Sequence, residues 1–239
     1  MNIALLGYGK MGQAIEEIAL QRGHHVVCKV SIENMEDRTE ENIRKADVVI
    51  EFTGPKSAYE NLKLCFDASV PVVCGSTGWL NKLEDIKKYC ADKKGGLLYA
   101  SNFSVGVNLF FALNTKLAEL MKGHDYDVEL KEIHHTQKLD SPSGTAITLA
   151  EAVLHSNPSK TKWVNKPSIN PSDLVIISER EDPAPGTHIV TYHSEIDTIC
   201  ITHTAHSRKG FATGAVLAAE FLVQHKIGIF SMREVLGIN

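Results

Sequence analysis

Short apolar runs and helical repeats alternate along the first hundred residues. The run in NIALLGYG is too brief for a helix, and it is followed by apolar residues at helical spacing, Ile15, Ile18 and Ala19. The alternation continues through ADVVIEF, PVVCGST and GLLYAS, which are separated by amphipathic segments. It predicts a parallel sheet that helices cover on both faces.

The hydrophobic pattern changes in the second half of the chain. NFSVGVNLFFALNTKLAELM predicts a helix, and DYDVELKEIHH alternates as a strand with one exposed face does. On that strand Val128, Leu130 and His134 share a face unless a bulge intervenes, and Glu132 interrupts the apolar series. A helix from about Ser143 to Leu154 and three strand-like runs follow: LVIISERE, THIVTYHS and DTICITHTA.

Together these patterns predict an α/β fold with two domains. An N-terminal Rossmann dinucleotide-binding domain is followed by an α+β substrate-binding domain with an open mixed sheet. The final segment is strongly apolar and helical in pattern, so we expect it to pack back on the first domain. The expected domains are residues 1–103 with 210–239, and residues 104–209.

A glycine-rich turn, GYGKMG, lies between the first predicted strand and the first predicted helix. Gly7 and Gly9 permit a tight turn and the close approach of a pyrophosphate, and Gly12 lets the helix pack against the strand. The free N–H groups of the helix start attract the anion. The motif favours a dinucleotide site, and a purely structural turn stays open as the alternative.

Two further turns follow predicted strands, FTGP at 52–55 and GSTG at 75–78. Ligand-binding loops of such sheets lie at the carboxyl ends of the strands, so these turns can form platforms beside the cofactor. Phe52 and Thr53 belong to the first platform, and Gly75, Ser76 and Thr77 to the second. Each turn taken alone fits an ordinary turn equally well.

The second predicted strand lacks the acidic tip that holds a ribose 2′-hydroxyl. Ser31 stands at the expected position, and Glu33 comes two residues late. Lys10 and Lys29 favour a 2′-phosphate. We therefore predict that the cofactor is NADH or NADPH, with both used within about tenfold of each other, a difference of only about 1.4 kcal/mol.

The junction EIHHTQKLDSPSGTA concentrates proton donors and cationic groups between a strand and a helix. Histidine donates a proton near neutral pH, and lysine holds an anion. The SPSGT run has the residues of a helix start, where unpaired N–H groups bind a carboxylate. The candidate residues are His134, His135, Lys138, Ser143, Gly144 and Thr145. Together they indicate a site for a small anionic substrate that must be protonated.

Composition excludes several function classes. A net charge of −4 argues against a nucleic-acid surface, and no apolar run approaches the about 20 residues of a membrane span. Five scattered cysteines without a CxxC pair indicate buried free thiols in a reducing compartment. No leader pattern precedes the first strand, so we expect a cytoplasmic protein with neither nucleic-acid nor membrane partners.

The motifs of the whole chain resemble those of the dihydrodipicolinate reductase family, also called 4-hydroxy-tetrahydrodipicolinate reductases. They are GYGKMG, EFTGP, CGSTG, ASNFSVGVN, HHTQKLDSPSGTA, GTHIV, HTAHSRKGFATGA and SMREVLG. The resemblance implies NAD(P)H-dependent reduction of 4-hydroxy-tetrahydrodipicolinate to tetrahydrodipicolinate in lysine and diaminopimelate biosynthesis. It also implies a homotetramer joined through the sheet of the second domain, which an open sheet with exposed edges permits.

The resemblance also implies residue roles. His134 protonates the ring, Lys138 assists and holds one substrate carboxylate, His135 contacts the substrate, and Gly144 with Thr145 binds the other carboxylate. With the residues indicated by the pattern, the expected cofactor-binding set is Gly7, Gly9, Lys10, Met11, Gly12, Ser31, Phe52, Thr53, Gly75, Ser76, Thr77, Ala100, Ser101, Asn102 and Phe103.

Two other classes of function stay open from the sequence. One is a dinucleotide-sensing or scaffold protein that kept the fold without catalysis, since function resides in the site. The other is a zinc hydrolase that uses the HH and HTAH histidines. No HExxH pattern supports the second, and adjacent strand histidines point to opposite faces. We therefore expect no metal.

Overall fold

The computed structural model describes residues 1–207 and 209–238. The chain forms two compact units, one from residues 1–108 with the described residues after 207, and one from residues 109–207. No helix in the described part of the chain is long and apolar enough to cross a membrane.

The strands and helices follow in chain order. The strands are β1 (Asn2–Leu6), β2 (His25–Val30), β3 (Val48–Glu51), β4 (Val72–Cys74), β5 (Gly96–Tyr99), β6 (Asp127–His134), β7 (Lys162–Val164), β8 (Asp173–Arg180), β9 (Thr187–His193), β10 (Thr198–Thr204) and β11 (Gly228–Phe230). The helices are α1 (Lys10–Gln21), α2 (Glu40–Ile43), α3 (Ala58–Asp67), α4 (Leu83–Asp92), α5 (Val105–Met121), α6 (Gly144–Ser156), α7 (Lys209–Gln224) and α8 (Met232–Val235).

The first unit contains a parallel sheet in the order β11-β5-β4-β3-β1-β2. Its inner strands β1, β3, β4 and β5 are apolar and buried on both faces. Ile3 and Leu5 pack with α1 and α7 on one face, and Ala4 and Leu6 pack with α3 and α4 on the other. The α/β class with a Rossmann-like parallel sheet is therefore confirmed.

The second unit contains a mixed sheet in the order β10-β9-β6-β8-β7. The central strand β6 runs antiparallel to β9 and parallel to β8. Its buried positions alternate regularly, so Val128, Leu130, Glu132 and His134 share the face that packs toward the core. The predicted shared face is confirmed, and it includes a wholly buried glutamate.

Two short strands lie where the sequence predicted none. β7 falls in a Ser- and Pro-rich segment, SNPSKTKWVNKPSINPSD, and pairs with β8. β11 interrupts the final segment, which was expected to be helical throughout. Both strands have three residues, which is too few for a periodicity to show. Gly228, with φ of 130°, lies at the start of β11 and departs from helical geometry.

All five cysteines are free thiols. Cys28, Cys65, Cys74 and Cys90 are buried in one core of the first unit, as expected. The expectation of burial is wrong for Cys200, which is exposed on the edge strand β10. It pairs with Thr191, which pairs with Glu129, so it lies on the face of the sheet opposite the core.

Candidate active site

A cavity of about 650 Å³ lies at the carboxyl ends of β1, β2 and β3 in the first unit. Of the predicted cofactor-binding residues, Gly7, Gly9, Ser31, Phe52 and Thr53 line it. Ligands of parallel α/β sheets bind at this edge. The cavity is therefore the candidate cofactor site.

The three glycines of the turn differ in what surrounds them. Gly7 has φ of 98°, and a Cβ there would lie 2.2 Å from the carbonyl oxygen of Phe52. A Cβ at Gly12 would lie 2.3 Å from the carbonyl oxygen of Gly7, whereas a Cβ at Gly9 would meet nothing within 4 Å. Gly9 is also the N-cap of α1 and offers no capping side chain. The open backbone at this helix start fits the phosphates of a dinucleotide.

A buried carboxylate links the two loops that follow β3 and β4. Glu51 accepts hydrogen bonds from the N–H and hydroxyl of Thr53, from Asn61 Nδ2 at 3.2 Å and from the Cys74 thiol at 3.2 Å. The N–H of Thr53 also donates to Ser76 Oγ at 2.9 Å. The two predicted platforms are thus linked through Ser76, which the sequence predicted, and through Glu51, which it did not.

Several predicted cofactor residues do not line the cavity. Gly75 lies under the ring of Phe52, where a Cβ would come within 2.1 Å of the ring, and that ring tilts against Phe103 at 5.5 Å. The residues outside the cavity lining are Lys10, Met11, Gly12, Gly75, Ser76, Thr77, Ala100, Ser101, Asn102 and Phe103. Their roles toward a cofactor stay predictions.

The cavity wall includes residues that were not predicted from the sequence, and two of them carry buried polar atoms. Arg38 and Asn61 line the cavity, and among the described residues neither Arg38 Nε nor Asn61 Oδ1, both buried, has a hydrogen-bond partner. Ser31, by contrast, donates its hydroxyl to Asn34 Oδ1 at 2.9 Å. The only signal for Arg38 in the sequence is a lone arginine in the acidic stretch ENMEDRTEEN.

In the second unit, His134 ends β6 on its buried face. Its Nδ1 lies 3.4 Å from Glu132 Oε2, and its Nε2 faces Gly186, where a Cβ would come within 3.1 Å. Burial lowers the pKa of His134, and the Glu132 carboxylate opposes that shift. His135 follows on the other side of the chain and is half-buried.

Glu132 is fully buried in a polar cluster. It accepts hydrogen bonds from the Ser143 N–H at 3.1 Å and from Ser178 Oγ at 2.7 Å, and Arg180 Nη1 lies 3.7 Å away. Burial by itself raises the pKa of Glu132, but the hydrogen bonds from Ser143 and Ser178 bring it below its ordinary value. His188 Nε2 lies 3.7 Å from the same carboxylate.

Glu132, His134 and His188 have potential ligand atoms within 4.8 Å of one another, a spacing that a metal ion can bridge. The carboxylate is already bonded to Ser143 and Ser178 and faces the Arg180 guanidinium. A cation would compete with those donors and with that charge. The cluster therefore fits a hydrogen-bonded network better than a metal centre.

The start of α6 presents two free backbone donors. Ser143 is the N-cap, and its hydroxyl accepts from the N–H of Ala146. The expectation that its own N–H is unpaired is wrong, because this group donates to Glu132. No acceptor in the described part of the chain takes the N–H of Gly144 or Thr145, and a Cβ at Gly144 would meet nothing within 4 Å. Nearby, Lys138 Nζ pairs with Asp140 at 2.7 Å.

A parallel sheet with a glycine turn and a cavity at the carboxyl ends of its strands is typical of the nicotinamide-dependent oxidoreductases. The histidine, the lysine and the open helix start of the second unit fit a reductase within that class. Two family descriptions match the chain: "Dihydrodipicolinate reductase, N-terminus" over residues 1–103 and "Dihydrodipicolinate reductase, C-terminus" over residues 106–236. The chain belongs to the dihydrodipicolinate reductase family.

A relative carries the same family name, and two solved structures share the fold. A 4-hydroxy-tetrahydrodipicolinate reductase of Christiangramia forsetii is 52% identical over 99% of this chain and 98% of its own length. A dipicolinate-bound dihydrodipicolinate reductase from Paenisporosarcina sp. TG-14 has a TM-score of 0.77 at 24% identity, with 98% of each chain covered. A probable dehydrogenase from Thermotoga maritima shares the fold with a TM-score of 0.60 at 10% identity, covering 100% of this chain and 93% of its own.

The predicted family is thus confirmed, and with it the class of enzyme. The chain is an oxidoreductase, and its cofactor is NADH or NADPH. The sensing and zinc-hydrolase alternatives find no support in these relatives.

Proposed function

We propose that the chain reduces 4-hydroxy-tetrahydrodipicolinate to tetrahydrodipicolinate, the reaction named for its relative of 52% identity. One NADH or NADPH and one proton are consumed, and one water leaves. The first unit is proposed to hold the cofactor and the second to hold the substrate. The reaction belongs to lysine and diaminopimelate biosynthesis.

The observation that carries the proposal is the arrangement at the end of β6. A buried histidine, a lysine and a helix start with two free N–H groups lie within one short stretch of the second unit, from His134 to Thr145. A small dianion that must gain a proton needs this combination. The Paenisporosarcina relative binds dipicolinate, a flat dicarboxylate, in its solved structure.

We assign the substrate contacts as follows. The N–H groups of Gly144 and Thr145 hold one carboxylate through the start of α6. Lys138 holds the other, exchanging its Asp140 partner for the substrate, since the side chain is long enough to reorient. His135 contacts the substrate without taking part in proton transfer.

Bound NADH or NADPH supplies the hydride. His134 donates the proton that the reduced ring needs, and Lys138 assists by holding positive charge beside it. Gly186 leaves space in front of His134 Nε2, the nitrogen turned away from Glu132. The proton is therefore proposed to pass from Nε2.

The test is reduced-cofactor absorbance in an assay coupled to dihydrodipicolinate synthase, which supplies the unstable substrate. H134Q and K138M are each expected to lower kcat by at least about a hundredfold, the low end of a positioned general acid. K138M should also raise KM, because it removes a ground-state contact. H134Q should leave the Kd of the cofactor unchanged.

H135Q is the matched control, since it changes the neighbouring histidine in the same way and should act more mildly. Dipicolinate should inhibit competitively with substrate, and T145V should weaken that inhibition. If H134Q keeps more than about a tenth of wild-type kcat while H135Q loses nearly all of it, the assignment of the acid to His134 is wrong.

We also propose a homotetramer and a cytoplasmic location, as the family resemblance and the cysteine pattern suggest. Support for the first comes from the second sheet, whose core lies on one face only. Its other face carries Ile133, Ile177 and Ile189, and Ile177 is 39% exposed.

A further inference from the structure

Glu132 touches both parts of the proposed substrate site. Its carboxylate lies 3.4 Å from Nδ1 of His134, and it accepts the N–H of Ser143, the N-cap of α6. Both contacts lie within the second unit. One buried charge therefore meets the proton donor and the carboxylate-binding helix start.

We propose that Glu132 is a positioning residue that favours the protonated form of His134, with Nε2 toward the substrate, while it fixes the start of α6. This inference rests on the proposed function, because it says how the acid of that reaction is held. Glu132 does not touch the substrate in this arrangement. It acts through His134 and through Ser143.

The geometry follows from the register of β6. Residues two apart on a strand share a face, so Glu132 and His134 are both directed to the buried side. The 3.4 Å separation is longer than a hydrogen bond, and such contacts in ligand-free enzymes often tighten in the substrate complex. With Nδ1 directed at the carboxylate, Nε2 faces Gly186, which has no side chain to cover it.

If His134 is to act as an acid at this buried position, it needs the negative charge of Glu132. Burial and the neighbouring cations favour neutral imidazole, whereas the neighbouring carboxylates favour imidazolium. The charged and titratable groups that face the ring are Glu132, Lys138, Asp140, Arg180 and His188. Asp140 is exposed and bonded to Lys138, so the buried Glu132 is the main group that favours the protonated ring.

His188 completes the wall behind the site without adding charge. Its ring meets that of His134 edge-on at 5.0 Å, and its Nε2 lies 3.2 Å from Ser143 Oγ. Burial, followed by the charge of His134, lowers the pKa of His188 to about 4. His188 is therefore neutral near pH 7 and adds no positive charge beside His134.

E132Q separates this role from a merely structural one. We expect NMR titration of the His134 ring in the cofactor-free chain to move to lower pH in E132Q, with H134Q used for assignment. We expect kcat/KM to fall at least about tenfold near pH 8 and less near pH 6, because the remaining acid is protonated only at lower pH.

D127N is the matched control. Asp127 lies on the same strand and pairs with Lys160 instead of with a histidine of the site, so its amide variant should change neither the titration nor the pH profile. E132D keeps the negative charge, but its side chain is one methylene shorter, so the carboxylate lies farther from His134. Its titration should fall between those of wild type and E132Q.

The outcomes separate the two proposals. An unchanged His134 titration in E132Q, with a rate loss equal at every pH, overturns the role of Glu132 even if H134Q is inactive. An active H134Q overturns the acid of the proposed function, and the titration still decides what Glu132 does. If circular dichroism shows E132Q unfolded, E132D decides, and a wild-type titration there overturns the inference.

Discussion

Two residues that line the candidate cofactor cavity have buried polar atoms that lack a hydrogen-bond partner. Arg38 and Asn61 each have a buried polar atom without a partner in the described part of the chain. The hydroxyl of Ser31, by contrast, donates a hydrogen bond to Asn34. A buried unpaired donor is costly, so a ligand that supplies an acceptor is favoured. Arg38 is suited to a phosphate, since guanidinium pairs with phosphate oxygens.

Arg38 should therefore distinguish the two cofactors. R38L is expected to weaken NADPH binding at least about tenfold, or about 1.4 kcal/mol, and to leave NADH binding within about twofold, because only NADPH has the 2′-phosphate. Fluorescence titration of each reduced cofactor measures this. R44L is the control, since Arg44 pairs with Glu40 on α2 and does not line the cavity.

If R38L weakens the binding of both cofactors equally, Arg38 contacts a part of the molecule that NADH and NADPH share. In the wild-type chain we expect kcat/KM for the two cofactors to agree within about tenfold, because Glu33 also lines the cavity and opposes a phosphate. A preference above about a hundredfold in either direction would contradict that balance.

At the scale of elements, the β1–α1 turn uses its glycines for different purposes. Gly7 and Gly12 are required by the protein itself, because a side chain at either would collide with backbone. Gly9 has open space and φ of −86°, so neither packing nor conformation requires glycine there. We therefore attribute the glycine at position 9 to a ligand that approaches the backbone.

G9A and G12A should consequently fail in different ways. G9A is expected to keep the wild-type Tm and to lose NADH and NADPH affinity at least about tenfold, because its methyl group occupies the phosphate position. G12A should lower the Tm by several degrees, since overpacking costs about 1–3 kcal/mol. Thermal unfolding and cofactor titration of both variants test this, and a G9A variant that binds normally contradicts a cofactor at this turn.

How far the sequence predicted each element depended on length and on locality. Strands and helices with several periods, such as β6 and α5, were identified from pattern alone, whereas three-residue β7 and β11 were not. The site followed the same division. His134 and Lys138 stand in one local motif, but His188 joins the cluster only when β9 pairs with β6, a contact between residues far apart in sequence.

On the scale of the whole molecule, the second sheet has an uncovered face. The core of this unit lies on the side of Val128 and Leu130, and the opposite side bears Ile133, Ile177 and Ile189. The Lys131–Glu179 ion pair lies among these isoleucines, and exposed apolar groups rimmed by polar ones mark sites of association. The patch fits the proposed association of four copies.

I177E should therefore shift the chain toward smaller species in sedimentation velocity, because a charge in an apolar interface is costly to bury. I227E is the control, since Ile227 is 66% exposed and belongs to the first unit. Wild type and I227E are expected to sediment as tetramers. An I177E variant that remains tetrameric would place the interface elsewhere.

The buried cysteines of the first unit can report how often that unit opens. Burial raises the pKa of Cys90 to about 11 and raises those of Cys65 and Cys74 as well, so these thiols are poor nucleophiles while the first unit is closed. An alkylating reagent should modify these buried thiols only when that unit opens. Their slow modification then reports the opening free energy of the first unit alone, and added cofactor should slow it further by mass action.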